Sequence, residues 1–330
     1  MPEMTLLEAV RTALWEEMER DERIVIMGED VGRKGGVFRV TEGFLERFGP
    51  LRVVDTPLAE LAIAGIGIGA GFGGLRPVLE FQFADYSHPA FDQIVNQAAT
   101  IRYRSAGAWS CPVVFRAPFG AGVSGGLYHS QSVEAFYCHV PGLKVVVPAT
   151  PSDARGLLKT AIRDDDPVWF FEHKLSYRRY KEQVPDYGPD EGLVPLGVGR
   201  IDRPGDDISL ITYGVGVHWA REAAEIVARR EGLSVETFDL RSLAPLDKEG
   251  IARTVSKTNR ALIVHEANKT MGIGAEVAAF LAEELFESLD APVLRVAAAD
   301  CHIPHAPSLE EQVIPNVQKI VDALLRLASY

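Results

Sequence analysis

Only three cysteines occur in the 330 residues, Cys111, Cys138 and Cys301, with no CxxC pair and no nearby His spacing that would build a zinc site. A disulfide framework is therefore not expected, and free, mostly buried thiols in a reducing compartment are. Basic residues are also scarce, 34 Lys and Arg against 46 Asp and Glu, for a formal net charge of -12. Holding nucleic acid or an anionic membrane by bulk electrostatics needs a basic face, so neither partner is expected. No segment approaches the roughly 20 apolar residues of a membrane helix, and the start Met1-Pro2-Glu3-Met4 lacks the basic and apolar regions of a secretory leader. The expected compartment is the cytoplasm, or a mitochondrial matrix after processing. Two catalytic signatures are missing as well, GxxxxGK[ST] and HExxH.

What is present is an ordinary soluble composition, 47% hydrophobic and 24% charged, long enough for about two domains. Short β-branched runs, Ile24 to Met27, Arg52 to Val54, Pro77 to Phe81, Val113 to Arg116, Lys144 to Val147 and Val168 to Phe171, alternate with helical-period segments. The helices are expected at Thr5 to Arg20, Leu58 to Gly74, Pro89 to Tyr103, Ser132 to Cys138 and Ser152 to Asp164. That alternation predicts a parallel α/β domain over residues 1–180. Polar sequence with Pro185, Pro189 and Pro195 follows and predicts a linker over 181–199. A second, smaller α/β domain is expected over 200–330. Its strands fall at Ile208 to Thr212, Ser234 to Asp239, Arg260 to Val264 and Val293 to Val296, with helices near Trp219 to Arg230, Asp247 to Lys257, Ala275 to Leu285 and Leu309 to Leu327.

Two strings fit GxGxxG, at Gly69-Gly71-Gly74 and Gly120-Gly122-Gly125. A dinucleotide site needs the glycines between a strand and a helix, and the first string fails because it ends a helix-length segment. Gly65, Gly69 and Gly73 instead recur every fourth residue, as do Gly67 and Gly71, so they form small-residue rows suited to close packing or assembly. The second string follows a strand but opens no helix; it leads to His129 and reads as a functional loop. Asp164-Asp165-Asp166 reads as a helix-ending turn. Glu60, expected one turn inside a helix start, has no capping-box explanation, since the box would put a glutamate at position 59, which is Ala59. Glu29 and Glu80 stand at strand ends, where open α/β sheets bind ligands, and together these residues suggest an acidic pocket.

The run Asp55-Thr56-Pro57-Leu58-Ala59-Glu60, with Glu80-Phe81-Gln82-Phe83-Ala84-Asp85-Tyr86, resembles the cofactor-facing region of 2-oxo acid dehydrogenase E1 β subunits. The resemblance continues through Tyr103-Arg104-Ser105, Tyr128-His129-Ser130-Gln131-Ser132 and Pro141-Gly142-Leu143-Lys144-Val145-Val146 to Ala306-Pro307-Ser308-Leu309-Glu310. Several of these stretches look more like the branched-chain enzymes, whereas Gly272-Ile273-Gly274-Ala275-Glu276 is closer to the pyruvate type. The resemblance implies a pyrimidine-type thiamine diphosphate-binding domain followed by a transketolase-C-like domain.

It also implies roles. Glu60 is similar to the family's glutamate beside N1′ of the aminopyrimidine, where its carboxyl favours the imino tautomer that accepts the C2 proton. Glu29, Leu58, Ala59, Gln82 and Tyr86 would line the cofactor pocket. Phe83, Tyr86 and His129 would face the 2-oxo acid substrate, and His129 would help to pass the acyl group to a lipoyl arm. The GDG signature that holds magnesium and diphosphate in the family's α chain is absent. The implied cofactor is therefore shared with an E1 α subunit in an α2β2 heterotetramer, with magnesium held by the α subunit. The carboxyl-terminal domain would dock the E2 dihydrolipoyl acyltransferase core. In some relatives a potassium ion is bound at positions matching Pro112, Val114, Ala161, Asp164 and Asp166.

Overall fold

The computed structural model describes residues 2–188 and 190–330; Met1 and the expected linker residue Pro189 lie outside them. The chain divides into two compact units, Met1–Phe119 with Phe136–Leu196, and Gly120–Ala135 with Gly197–Tyr330.

In the first unit the strands are β1 (Glu3–Thr5), β2 (Ile24–Gly28), β3 (Val53–Asp55), β4 (Arg76–Glu80), β5 (Val114–Phe119), β6 (Lys144–Val146), β7 (Val168–His173) and β8 (Lys181–Gln183). The main sheet runs β6-β7-β5-β4-β2-β3 with every pairing parallel. All residues of β2, β5 and β7 are buried, as expected of parallel strands covered on both faces. Helices Leu6–Arg20 and Pro151–Arg163 close one face through Leu6, Val10, Leu14, Leu157, Leu158 and Ile162, with Val78 of β4 beneath them. Side chains alternate along a strand, so Leu79 points to the other face, where it meets Gly67 of the helix Glu60–Phe72.

Helix starts follow their caps. Thr5 and Glu8 form a reciprocal capping box. Thr150, rather than Ser152 or Asp153, caps the helix at Pro151, its side chain accepting from the Asp153 N–H. The helix expected over Pro89 to Tyr103 is broken into a 3-10 segment (Ala84–Ala90), a π-helical stretch (Gln93–Ala98) and a short α turn (Ile101–Arg104).

The second unit holds β9 (Arg200–Arg203), β10 (Ile208–Thr212), β11 (Val235–Asp239), β13 (Ala261–Asn268) and β14 (Leu294–Ala298), in the order β14-β13-β10-β11-β9. A short β12 (Ser242–Ala244) lies outside this sheet. All pairings are parallel except β9 with β11, an antiparallel edge that the sequence pattern does not announce. Asp247 caps the helix Lys248–Thr258, accepting from the Gly250 N–H at 2.8 Å. The expected helix Leu309 to Leu327 is interrupted at Pro315 into Pro307–Val313 and Val317–Ala328.

Two boundaries differ from the expectation of a continuous first domain over 1–180 and a linker over 181–199. Gly120–Ala135 belongs to the second unit, because its backbone amides are bonded by carboxylates of that unit. The expected linker begins with β8, which pairs antiparallel with β1. Among the described residues no helix is long and apolar enough to cross a membrane.

Candidate functional site

The carboxyl ends of β3, β2 and β4 lie side by side, with Gly28 in register with both Asp55 and Glu80. This is the edge at which open parallel sheets receive ligands. Glu29 follows β2 directly, Gln82 follows β4, and the chain leaving β3 passes Leu58 and Ala59 before Glu60 heads its helix. Glu60 thus sits at the first helical position, not a turn inside, where the helix dipole favours its carboxylate. Gly28 permits the close spacing: a Cβ there would lie 2.5 Å from the Glu80 carbonyl oxygen. The loop after β2 is fixed by Asp55, which accepts N–H groups from Gly32 at 2.5 Å and Arg33 at 3.2 Å. Asp30 takes a left-handed conformation, φ 61°, and receives the Gln82 Nε2 at 3.3 Å.

Glu29 is the electrostatic centre. It is only 6% exposed, and neither carboxylate oxygen has a hydrogen-bond partner. Burial, then the charges of Glu60 and Asp30, push its carboxyl up to about 7. The Tyr86 phenol is raised by burial and by Asp85, Glu60 and Glu29, which puts Tyr86 in the same field. Phe83 packs edge-on to Tyr86 at 5.7 Å, and Leu58 is 75% exposed. Buried carboxylate oxygens without donors, beside an amide and aromatic rings, suit a neutral heterocycle that carries N–H groups. The aminopyrimidine of thiamine diphosphate fits that chemistry, whereas the same acidic residues repel its diphosphate.

Glu80 does not join this pocket. Its carboxylate pairs with Arg116, which is 1% exposed and also grips Glu172 through two contacts of 2.7 Å. Tyr177 completes the cluster by donating to Glu172 at 2.6 Å. The role is structural: a buried guanidinium is neutralised by two acids.

The remaining candidates lie apart in the chain. His129 is half-buried in the second unit, after a 3-10 turn at Gly126–Tyr128. The positions matched to potassium lie in the first unit, on β5, the helix Pro151–Arg163 and the turn after it. Protein cations already fill that turn. Arg76 Nη1 donates to the carbonyls of Ile162 at 3.0 Å and Asp164 at 2.9 Å, and its Nη2 pairs with Asp165 at 2.5 Å. Lys144 reaches both Asp164 oxygens at 2.7 Å, Arg102 pairs with Asp166, and the Ala161 carbonyl takes the Asp164 N–H at 3.3 Å. Protein cations thus already balance the charge of this turn, and no role is derived for a potassium ion.

Sequence reasoning missed Asp55 and Asp30 as organisers of the pocket loop, and Glu266 and Glu310 as anchors of the His129 segment. The signal for Asp55 was its position in the same run as Glu60; the anchors are more than 130 positions from their partners and left no local trace.

This pairing of a parallel-sheet unit carrying an acidic, aromatic pocket with a second α/β unit defines a thiamine-type class of protein. Residues 2–179 match the transketolase pyrimidine binding domain, and residues 197–320 match the transketolase C-terminal domain. A split-gene transketolase, described as an inactive beta4 tetramer, superposes with a TM-score of 0.78 over 99% of this chain and 98% of its own, at 24% identity. The 2-oxoisovalerate dehydrogenase subunit beta of Bacillus subtilis is 52% identical over the full length of both chains. The mitochondrial 2-oxoisovalerate dehydrogenase subunit beta 2 of Arabidopsis thaliana is 48% identical over 99% of this chain and 90% of its own. The pyruvate dehydrogenase E1 component subunit beta of Bacillus subtilis is 44% identical over both full lengths. The chain belongs to the family of 2-oxo acid dehydrogenase E1 β subunits.

Proposed function

We propose that this chain is the β subunit of a branched-chain 2-oxo acid dehydrogenase, acting on 3-methyl-2-oxobutanoate and its analogues in an α2β2 assembly. The cofactor half of this reading is carried by the pair Glu29 and Glu60 at adjacent strand ends, one carboxyl unpartnered and pushed up to about 7, the other at a helix start, and the branched-chain half by the 52% identity to a 2-oxoisovalerate dehydrogenase subunit beta. Thiamine diphosphate, shared with the α subunit that holds magnesium, supplies the electron sink for decarboxylation when bound.

This chain's residues prepare that chemistry. Glu60 holds a proton at the ring nitrogen, and Glu29 offers a second carboxyl that can donate or accept near neutrality. Gln82 hydrogen-bonds the ring edge and Leu58 lines the cofactor pocket, while Tyr86 and Phe83 face the substrate; Ala59 leaves room beside Glu60. His129 handles a proton during acyl transfer to the lipoyl arm, and the second unit docks the E2 dihydrolipoyl acyltransferase core. The enzyme works in a bacterial cytoplasm or a mitochondrial matrix.

A pyruvate (or acetoin) reading is kept by the pyruvate-type sequence at Gly272 to Glu276 and by the 44% identity to a pyruvate dehydrogenase subunit. The deciding experiment assembles the chain with its α subunit and compares kcat/KM on 3-methyl-2-oxobutanoate and pyruvate. Preference for the branched substrate supports the proposal, and preference for pyruvate replaces it.

A further inference from the structure

The segment Gly120–Ala135 has little regular structure of its own: one 3-10 turn, the first two residues of the helix Glu134–Cys138, and left-handed backbone at Gly120, Gly122, Ser124 and Gly126. Such a backbone turns successive N–H groups to one side, making a small anion-binding concavity. Here the anions are two glutamates of the same unit. Glu310, on the helix Pro307–Val313 and 5% exposed, accepts from the Gly122 N–H at 3.0 Å, the Ser124 N–H at 3.2 Å and the Ser124 Oγ at 3.4 Å. Glu266, on β13 and 6% exposed, accepts from the Ala121 N–H at 2.7 Å and the Ser132 hydroxyl at 3.0 Å. Ser124 and Ser132 bracket His129, so the carboxylates pin both sides of the stretch that carries it. The Tyr213 hydroxyl adds a third tie by donating to Glu134 at 2.6 Å.

We propose that Glu310 and Glu266 are positioning residues that fix the segment Gly120–Ala135, and with it His129, by accepting its backbone and hydroxyl donors. The residue type follows from the donor count. A carboxylate accepts from several donors and presents none, whereas an amide would set its own NH2 against one of the N–H groups. Because these ties hold a loop with little secondary structure, their loss loosens the loop before it loosens the sheet. The catalytic part of this inference rests on the proposed role of His129; the structural part does not.

The test uses the chain assembled with its α subunit, as wild type, Glu310→Gln, Glu310→Ala and the exposed control Glu311→Gln. Hydrogen exchange is followed by mass spectrometry, and lipoyl-domain acylation is compared with decarboxylation to an artificial electron acceptor. Glu310→Ala should speed exchange of the peptide spanning 120–135 by about tenfold or more, with Glu310→Gln intermediate and peptides from β10 and β11 unchanged. Acylation should fall more than decarboxylation. Unchanged exchange overturns the inference, as does protection lost evenly across the second unit; a loosened segment with acylation at the wild-type rate overturns its catalytic part. If Glu310→Ala does not fold, Ser132→Ala removes one tie from the loop side and is read by the same measurements. His129→Ala run in parallel separates the two claims: acylation intact in that variant defeats the role of His129, while exchange still decides the anchors.

Discussion

Gly67 and Gly69 lie two residues apart in the helix Glu60–Phe72 yet meet opposite surroundings. A Cβ at Gly67 would sit 2.4 Å and 2.6 Å from the two terminal carbons of Leu79, which is fully buried; a Cβ at Gly69 would have nothing within 4 Å. Replacing either glycine with alanine gains the same helix propensity, about 0.5–1 kcal/mol. That gain cancels in the difference between the two variants, leaving the overpacking at Leu79, about 1–3 kcal/mol. Gly69→Ala should therefore melt above the wild-type chain by roughly 1–4 °C, and Gly67→Ala should melt below Gly69→Ala by roughly 2–12 °C. Thermal unfolding of the chain alone, followed by far-UV circular dichroism, measures both. Equal melting temperatures for the two variants, or a loss of stability in Gly69→Ala, would refute the packing argument. The proposed assembly contact adds a second expectation. Leu61 and Ile66 of the same helix are 50% and 57% exposed, so Gly69→Ala should weaken association with the α subunit even as it stabilises the free chain.

Glu60→Gln should abolish turnover while leaving assembly intact, and near-normal activity would remove Glu60 from the mechanism. Glu29 gives a pH signature. Folding raises its carboxyl from 4.5 to about 7, so its contribution to stability is complete below pH 4.5 and is lost as pH rises through about 7. Glu29→Gln should then match the wild type in melting temperature near pH 4.5 and exceed it at pH 8; a constant offset at both pH values would contradict the assignment. Because Arg76 and Lys144 fill the turn after the helix Pro151–Arg163, replacing KCl by NaCl or choline chloride should leave activity of the assembled enzyme unchanged. A requirement for potassium would show that the ion binds despite them.

The parts of the site legible in the sequence are those set by local pattern. β-branched runs end just before Glu29 and Glu80, and this alone predicts carboxylates at the ligand edge of a parallel sheet. What pattern cannot supply is pairing over distance. Glu80 reads as a pocket acid until Arg116, from the next strand in the sheet, is seen to claim it. Gly120–Ala135 reads as part of the first domain until Glu266 and Glu310 are seen to bond its amides across 145 and 188 positions. The Asp164 carbonyl likewise accepts from Arg76, 88 positions away, a contact that no local pattern announces. Glycine rows at four-residue spacing announce close packing but not which row faces inward; Leu79 decides that for Gly67.

A chain that supplies the acidic, aromatic half of a thiamine diphosphate site and none of its phosphate grip should bind the cofactor only in the assembly. Isothermal titration of thiamine diphosphate with magnesium into the chain alone, and into the chain assembled with its α subunit, tests it most directly. Negligible heat is expected for the isolated chain and saturable binding for the assembly, weakened by Glu60→Gln. Micromolar binding by the isolated chain would contradict it.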